Sequence, residues 1–246
     1  MPPPAFDASP DPAQIVPAAG PPIPRYLEQL YWWAYVHPNA VSVFERDWLV
    51  NAILFGHYGR LRDAALDDLG ARITGRTLQV ACVYGNLTPR LRARLAADAR
   101  LDVVDILPVQ LDNLGRKLPP DRRIALKQGD ASSLPGVDAH YDQVLLFFLL
   151  HEMPESVRRA TLGEAMRVLK PGGKLVIVDY HRPARLHPLR PLMHQVFKHL
   201  EPYAFDLWEH EVEAFLPAGL APAAIEKRTF FGGLYQQLVL TRQAAP

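Results

Sequence analysis

The chain has 246 residues, 49% hydrophobic and 22% charged, a balance that fits one large soluble domain with an appendage. A formal net charge of +1 gives no global argument for a nucleic-acid partner. The one cysteine, Cys82, excludes an intramolecular disulfide framework, and the longest apolar run, Val144 to Leu150, is far too short to span a bilayer.

Residues 1–24 carry nine of the 24 prolines and little that can be buried, so they read as a disordered lead-in. The N-terminus shows neither a basic nor an apolar region of a secretory signal. With the lone cysteine, this sets the expected location in the cytoplasm. Residues 25–70 read as helices. Pro38 breaks them, because the residue before a proline disfavours helix and proline suits a first turn. The second helix carries Val41, Phe44, Trp48, Leu49 and Ala52 on one stripe, and Gly70 ends the last one. Tyr31, Trp32, Trp33, Tyr35 and His37 form an aromatic cluster, either a lid or a helix docked on the sheet edge.

From residue 71 onward, apolar runs alternate with amphipathic helices. Strands are expected at Thr77–Cys82, Leu101–Asp105, Arg123–Lys127, Gln143–Phe148, Lys174–Asp179, Ala224–Phe230 and Leu234–Thr241. A helix over Glu155–Leu169 places Leu162, Ala165, Met166 and Leu169 on one face, and "KPGGK" stops it. Such alternation makes an α/β doubly wound, mostly parallel seven-stranded sheet, with the last hairpin supplying one antiparallel strand. The stretch 182–208, within an insertion over 182–216, interrupts the alternation. It mixes apolar and basic residues, so it suits either a membrane surface or its own domain.

Ligands in such a sheet bind beyond the carboxyl ends of the strands. Asp105 lies 20 residues past Gly85, where a carboxylate can accept from ribose hydroxyls. Asp130 can accept from an adenine amine, and the backbone at Ala131 can read the ring edge. The alternative is that both aspartates only cap turns. A nicotinamide dinucleotide is not expected, because "ACVYGNLT" lacks the G-x-G-x-x-G turn. At strand ends four and five, His151, Glu152, Asp179, Tyr180 and His181 reach the crevice. Asp142 opens strand four at the opposite end and is excluded.

The motifs "GDASSLP", "LLHEMPE" and "RVLKPGGKLVIVDY" resemble class I S-adenosylmethionine-dependent methyltransferases, over about residues 70–241. A narrower set, "YWWAYVHP", "FERDWLVN", "ACVYGNLT", "LLHEMPE", "VDYHRP" and "FFGGLYQ", resembles the rhodoquinone-biosynthesis methyltransferase-like enzymes. That resemblance implies conversion of ubiquinone to rhodoquinone. A ring methoxy group is replaced by an amine from S-adenosylmethionine, used as co-substrate, with Mn2+ required.

On this reading the co-substrate lies along Val83, Tyr84, Gly85, Asn86, Asp105, Ile106, Asp130, Ala131 and Phe148. His151, Tyr180 and Tyr35 are the expected catalytic residues, and Asp179, His151 and Glu152 the expected metal ligands. Carboxylate plus imidazole suits manganese, although a histidine here more often makes a structural hydrogen bond. Ubiquinone is a membrane lipid, so peripheral contact with the inner face of the membrane is expected too.

The ordinary loop has an acid and two glycines where this chain has Gln79, Cys82 and Val83. Their bulk, and the loss of the acid's charge, shift the methionyl end and free its amine to react. Competing readings are an ordinary methyltransferase with a drifted loop and a catalytically silent binding module.

Overall fold

The computed structural model describes residues 20–31 and 45–244. The readings placed on the lead-in up to residue 19 and on Trp32, Trp33, Tyr35, His37, Pro38, Val41 and Phe44 lie outside them.

Among the described residues, three helices precede the sheet: α1 (Arg25–Leu30), α2 (Asp47–Ile53) and α3 (Tyr58–Leu69). Gly70 closes α3, at φ 118° with its N–H on the Leu66 carbonyl. The expected stripe on α2 is not its inward face. Trp48 is 64% exposed, while Val50 and Ile53 face a cavity. Phe55 and Gly56 take positive φ (49° and 82°), which breaks the helix and re-aims the chain before α3.

The sheet alternates with helices thereafter: β1 (Arg76–Val80), α4 (Leu87–Arg94), β2 (Arg100–Asp105), α5 (Pro108–Lys117), β3 (Ile124–Gln128), β4 (Tyr141–Phe147), α6 (Glu155–Val168) and β5 (Leu169–Tyr180). The insertion contributes α7 (Arg190–His199) and α8 (Asp206–Glu209), and the chain ends in β6 (Ala224–Phe230) and β7 (Tyr235–Thr241). The strand order is β3-β2-β1-β4-β5-β7-β6. Five strands pair in parallel, and β7 runs antiparallel to both β5 and β6. This is the seven-stranded, doubly wound sheet that the alternation predicts.

β5 starts five residues earlier than expected. Leu169 pairs with Tyr141, and a register irregularity then carries the chain through Pro171 and the glycines to Lys174 opposite Gln143. Leu169 thus leaves the face of α6, which keeps Leu162, Ala165 and Met166.

Period-two alternation divides the core. Leu145, Phe147, Val176 and Val178 pack on one side with α3 and α4, together with Phe197 and Trp208 of the insertion. Val144, Leu146, Leu175 and Ile177 pack on the other side with α6.

One buried cation ties the insertion to the sheet. Arg158, on α6, is fully buried. It donates to the carbonyls of Leu150, Met153 and Tyr203 and to the Asp206 carboxylate, at 2.8–2.9 Å, and stacks on Phe215. Three main-chain acceptors from two segments thereby depend on one side chain. Arg158→Leu is expected to cost about 3–5 kcal/mol, the usual loss when a buried charged partner is removed. Chemical denaturation of the variant against wild type measures it.

Candidate functional site

The carboxyl ends of β1, β2, β4 and β5 open into one cavity, roofed by Tyr26, Leu27, Val50, Ile53, Leu54 and Tyr58. Strand ends make such crevices because each crossover leaves the sheet in its own direction there.

The loop after β1 contributes Ala81, Cys82, Val83 and Tyr84 to the wall. Gly85 is held at φ 79°, and a Cβ there would stand 2.7 Å from the Tyr58 hydroxyl. That hydroxyl accepts from the Leu87 N–H and donates to the Tyr84 carbonyl. Glycine is therefore required at this one place, both for its conformation and for the close approach of Tyr58. Gly85 and Asn86 belong to the loop but do not line the cavity. Asn86 is instead engaged by Arg62 and Asp47.

Gln79 is fully buried and also lies behind the wall. Its amide donates to the Ala81 carbonyl and accepts from the Thr88 hydroxyl. The side chain thus braces the loop from behind. Ala81 itself takes φ 69°, a conformation held by its neighbours at a cost.

Asp105 faces the cavity from the end of β2. Its carboxylate accepts from the Cys82 and Leu107 N–H groups at 2.6 and 2.8 Å. Burial outweighs these donors and pushes its pKa up to about 6. Ile106, Asp130, Ala131 and Phe148 also line the cavity. Asp130 does cap its own turn, accepting at one oxygen from the Ser132 N–H and hydroxyl. Asp130 is thus a turn cap whose turn sits on the cavity wall.

His151 occupies the turn after β4, and behind it lies Asp179, fully buried. One Asp179 oxygen accepts from the Leu150 and His151 N–H groups. The other accepts from His151 Nδ1 at 2.8 Å and from the Tyr180 N–H. Burial opposes a charge on His151, but the Asp179 carboxylate overcomes it and raises the imidazole to about 9. With Nδ1 on Asp179, Nε2 is left for the cavity.

Tyr180 packs edge-on against His151, with ring centroids 4.8 Å apart, and against Phe148. Burial drives its phenol well above the ordinary range, so it stays a neutral donor.

The expected metal site is corrected by this geometry. A carboxylate offers about four lone-pair sites, and Asp179 spends them on four protein donors. Among the described residues, no group of three or more His, Cys, Asp or Glu is placed to hold a metal. His151 and Glu152 remain on the cavity wall, with Nε2 and Oε1 3.9 Å apart. Two such side chains do not make a manganese site as arranged. Tyr35, an expected catalytic residue, lies outside the described residues.

Two carboxylates were missed in the sequence. Glu45 reaches the loop from the start of α2. It accepts from the Gly85 N–H, Asn113 and Lys117. Glu201, from the insertion, lines the cavity beside His151. A signal for it existed: residues 181–200 contain no acid at all, so Glu201 ends the longest basic and apolar stretch of the insertion.

The His151–Asp179 pair has a pH signature. A histidine whose folded pKa exceeds its unfolded value stabilises the fold fully below about pH 6.5, and that contribution is lost as pH rises through about 9. The stability advantage of wild type over His151→Asn is expected to shrink across that window, by on the order of 3 kcal/mol. Urea titrations at both ends measure it.

Comparisons with known proteins agree with this architecture. Residues 77–173 match the family model of a methyltransferase domain. The chain is 29% identical over 163 residues to a demethylmenaquinone methyltransferase of Staphylococcus haemolyticus, covering 66% of this chain and 64% of that one. It is 36% identical over 137 residues to a protein of the same name from Beutenbergia cavernae, covering 55% and 53%. It therefore spans less than two thirds of the length of these curated relatives. Among solved structures, the N-methyltransferase NodS from Bradyrhizobium japonicum superposes with a TM-score of 0.55 at 14% identity, over 78% of this chain and 98% of that one, a likeness of fold. These similarities do not reach the narrower rhodoquinone-forming family that the motifs resemble. Residues 77–173 thus match a methyltransferase domain, and the seven-stranded sheet that holds them is the α/β Rossmann-like fold of such proteins.

Proposed function

We propose that the chain is an S-adenosylmethionine-dependent methyltransferase that acts on a quinone-type ring. The observation that carries this reading is His151, charged by the buried Asp179 and aimed into a cavity walled by Phe148 and Tyr180. A fixed imidazolium N–H at Nε2 stabilises negative charge developing on a ring oxygen. The aromatic wall excludes water and takes a flat ring. The curated relatives named for demethylmenaquinone support the substrate class.

In this reading Asp105 accepts from the ribose hydroxyls, and Asp130 and Ala131 meet the adenine. Val83 and Tyr84 border the methionyl end. The helices before the sheet act as the lid.

A second reading, conversion of ubiquinone to rhodoquinone by amine transfer, is favoured by one feature. Cys82 and Val83 put side chains on the cavity wall where the ordinary loop has glycine. That bulk displaces the methionyl end and turns its amine, rather than its methyl, toward the ring. The same imidazolium would polarise the quinone carbonyl, and no step requires the Asp179 oxygens. The experiment supplies S-adenosylmethionine carrying heavy carbon at the methyl and heavy nitrogen at the amine, with demethylmenaquinol and ubiquinone as separate acceptors. Heavy carbon in the product supports methyl transfer. Heavy nitrogen in an aminoquinone replaces that reading with the second, and an unlabelled product with both acceptors leaves neither standing.

Co-substrate binding is expected to follow Asp105. Its carboxylate is the form that accepts from ribose, so affinity rises as pH passes through about 6. Asp105→Asn should weaken binding by about 1.5–3 kcal/mol, the range for a hydrogen bond to a charged group, and flatten that pH dependence. Calorimetry from pH 5 to 8 tests both.

The lipid character of the acceptor brings in the insertion. Between His181 and Leu200 there are four Arg or Lys and no acid, with Leu186, Leu192 and Leu200 exposed. No helix among the described residues is long and apolar enough to cross a membrane. We read this face as docking on an anionic bilayer surface. Sedimentation with phosphatidylglycerol vesicles should capture wild type, and Leu186→Glu/Leu192→Glu should stay in solution. Equal capture of both would remove the face from the account.

A further inference from the structure

Glu201 is a partly buried acid whose carboxylate lines the cavity. It follows α7 and is fixed from both sides. Its N–H donates to the Val196 and Phe197 carbonyls, and its own carbonyl accepts from the Ala204 N–H. Two residues on, the Tyr203 carbonyl is gripped by Arg158. The side chain enters the cavity that holds His151 and Tyr180. There Oε2 is buried, and no hydrogen bond of good geometry reaches it, with the Tyr31 hydroxyl as its near neighbour.

Fully buried carboxylate oxygens are normally paired, because an unpaired one has given up water for nothing. The four donors around Asp179, a few residues away in space, show what a structural carboxylate in this region looks like. Burial raises the Glu201 pKa, while the His151 charge and the Tyr31 hydroxyl hold it down. A carboxylate so balanced is suited to take and release a proton.

We propose that Glu201 is a catalytic residue, the base that receives the proton of a ring hydroxyl on the acceptor. It completes an acid–base pair with His151 and selects a hydroxyl-bearing aromatic ring. This deepens the methyl-transfer reading and rests on it. In the step, the ring O–H bond breaks and its proton passes to Glu201 Oε2. The electron pair left on the ring system bonds to the sulfonium methyl carbon. The carbon–sulfur bond breaks with its pair staying on sulfur, so one proton is released for each methyl moved. His151 Nε2 meanwhile donates to the ring oxygen that carries the developing charge. The pair thus presents one donor and one acceptor to the ring, a pattern that fits the reduced quinol rather than the oxidised quinone.

Two variants separate recognition from chemistry. Glu201→Gln still accepts a hydrogen bond but takes no proton. It should lower kcat with demethylmenaquinol by a hundredfold or more while leaving the acceptor KM close to wild type, and Glu201→Asp should recover part of the loss. Glu201→Leu removes the acceptor altogether. Wild type should bind 2-naphthol at least tenfold more tightly than 2-methoxynaphthalene, which lacks the donor, and Glu201→Leu should lose that preference while Glu201→Gln keeps most of it. Fluorescence titration reads this without co-substrate or turnover. A Glu201→Gln variant with undiminished kcat, or a Glu201→Leu variant that keeps the naphthol preference, overturns the proposal. Wild type that transfers no methyl to any quinol defeats the methyl-transfer reading instead, and the naphthol arm then still decides whether Glu201 recognises a ring hydroxyl.

Discussion

The cavity is organised by the Asp179 carboxylate. It sits at the end of the long strand β5, fully buried, and gathers four donors: the main-chain N–H groups of Leu150, His151 and Tyr180 and the imidazole of His151. A buried charge survives only if it is paired and hydrogen-bonded. That requirement fixes the turn after β4 against the end of β5. It also sets the orientation and charge of His151, so one constraint of solvation determines both the shape of the crevice and its main electrostatic feature. It takes Asp179 itself out of contact with any ligand.

The opposite wall is set by a different constraint, close backbone approach. The loop after β1 keeps one glycine, Gly85, because Tyr58 presses its hydroxyl into the turn and holds Tyr84 and Leu87 by their main chains. Gln79 and Thr88 fasten the same loop from behind, and Glu45 fastens it from the side through Gly85, Asn113 and Lys117. A glycine-rich loop is shaped by its own conformational freedom. Here side chains from α3, β1 and the segment leading into α2 shape it, and Cys82 and Val83 line the cavity.

The insertion joins the cavity to an exposed basic and apolar surface. Arg158 anchors its inner end beneath the His151 turn, which brings Glu201 into the cavity. Residues 181–200 carry four Arg or Lys and three exposed leucines without a single acid. The segment that interrupts the regular strand–helix alternation is therefore the one that distinguishes this cavity from the bare fold. The shared fold by itself places a ligand crevice but does not specify the reaction.

The order of strands and helices, the antiparallel final hairpin, the crevice at the strand ends and the wall positions of Asp105, Asp130, His151 and Tyr180 were legible in the sequence. Each follows from local periodicity, turn residues and the rule that parallel strands open at their carboxyl ends. The motifs also pointed to the methyltransferase fold, while the donor geometry among the described residues does not form the manganese site that the narrower resemblance implies. Other features were decided only by tertiary structure. Asp179 looked available as a ligand because a sequence shows the carboxylate but not the four donors that saturate it. Gln79 looked like part of the wall because alternation along β1 cannot say which face meets the cavity once the loop turns at Ala81. Trp48 looked inward because the break at Phe55 and Gly56 depends on what α3 packs against. Glu201 lies 50 residues from His151 along the chain. Burial and pairing are properties of segments brought together from far apart, so the sequence set which groups exist and the packing set which of them remain free to react.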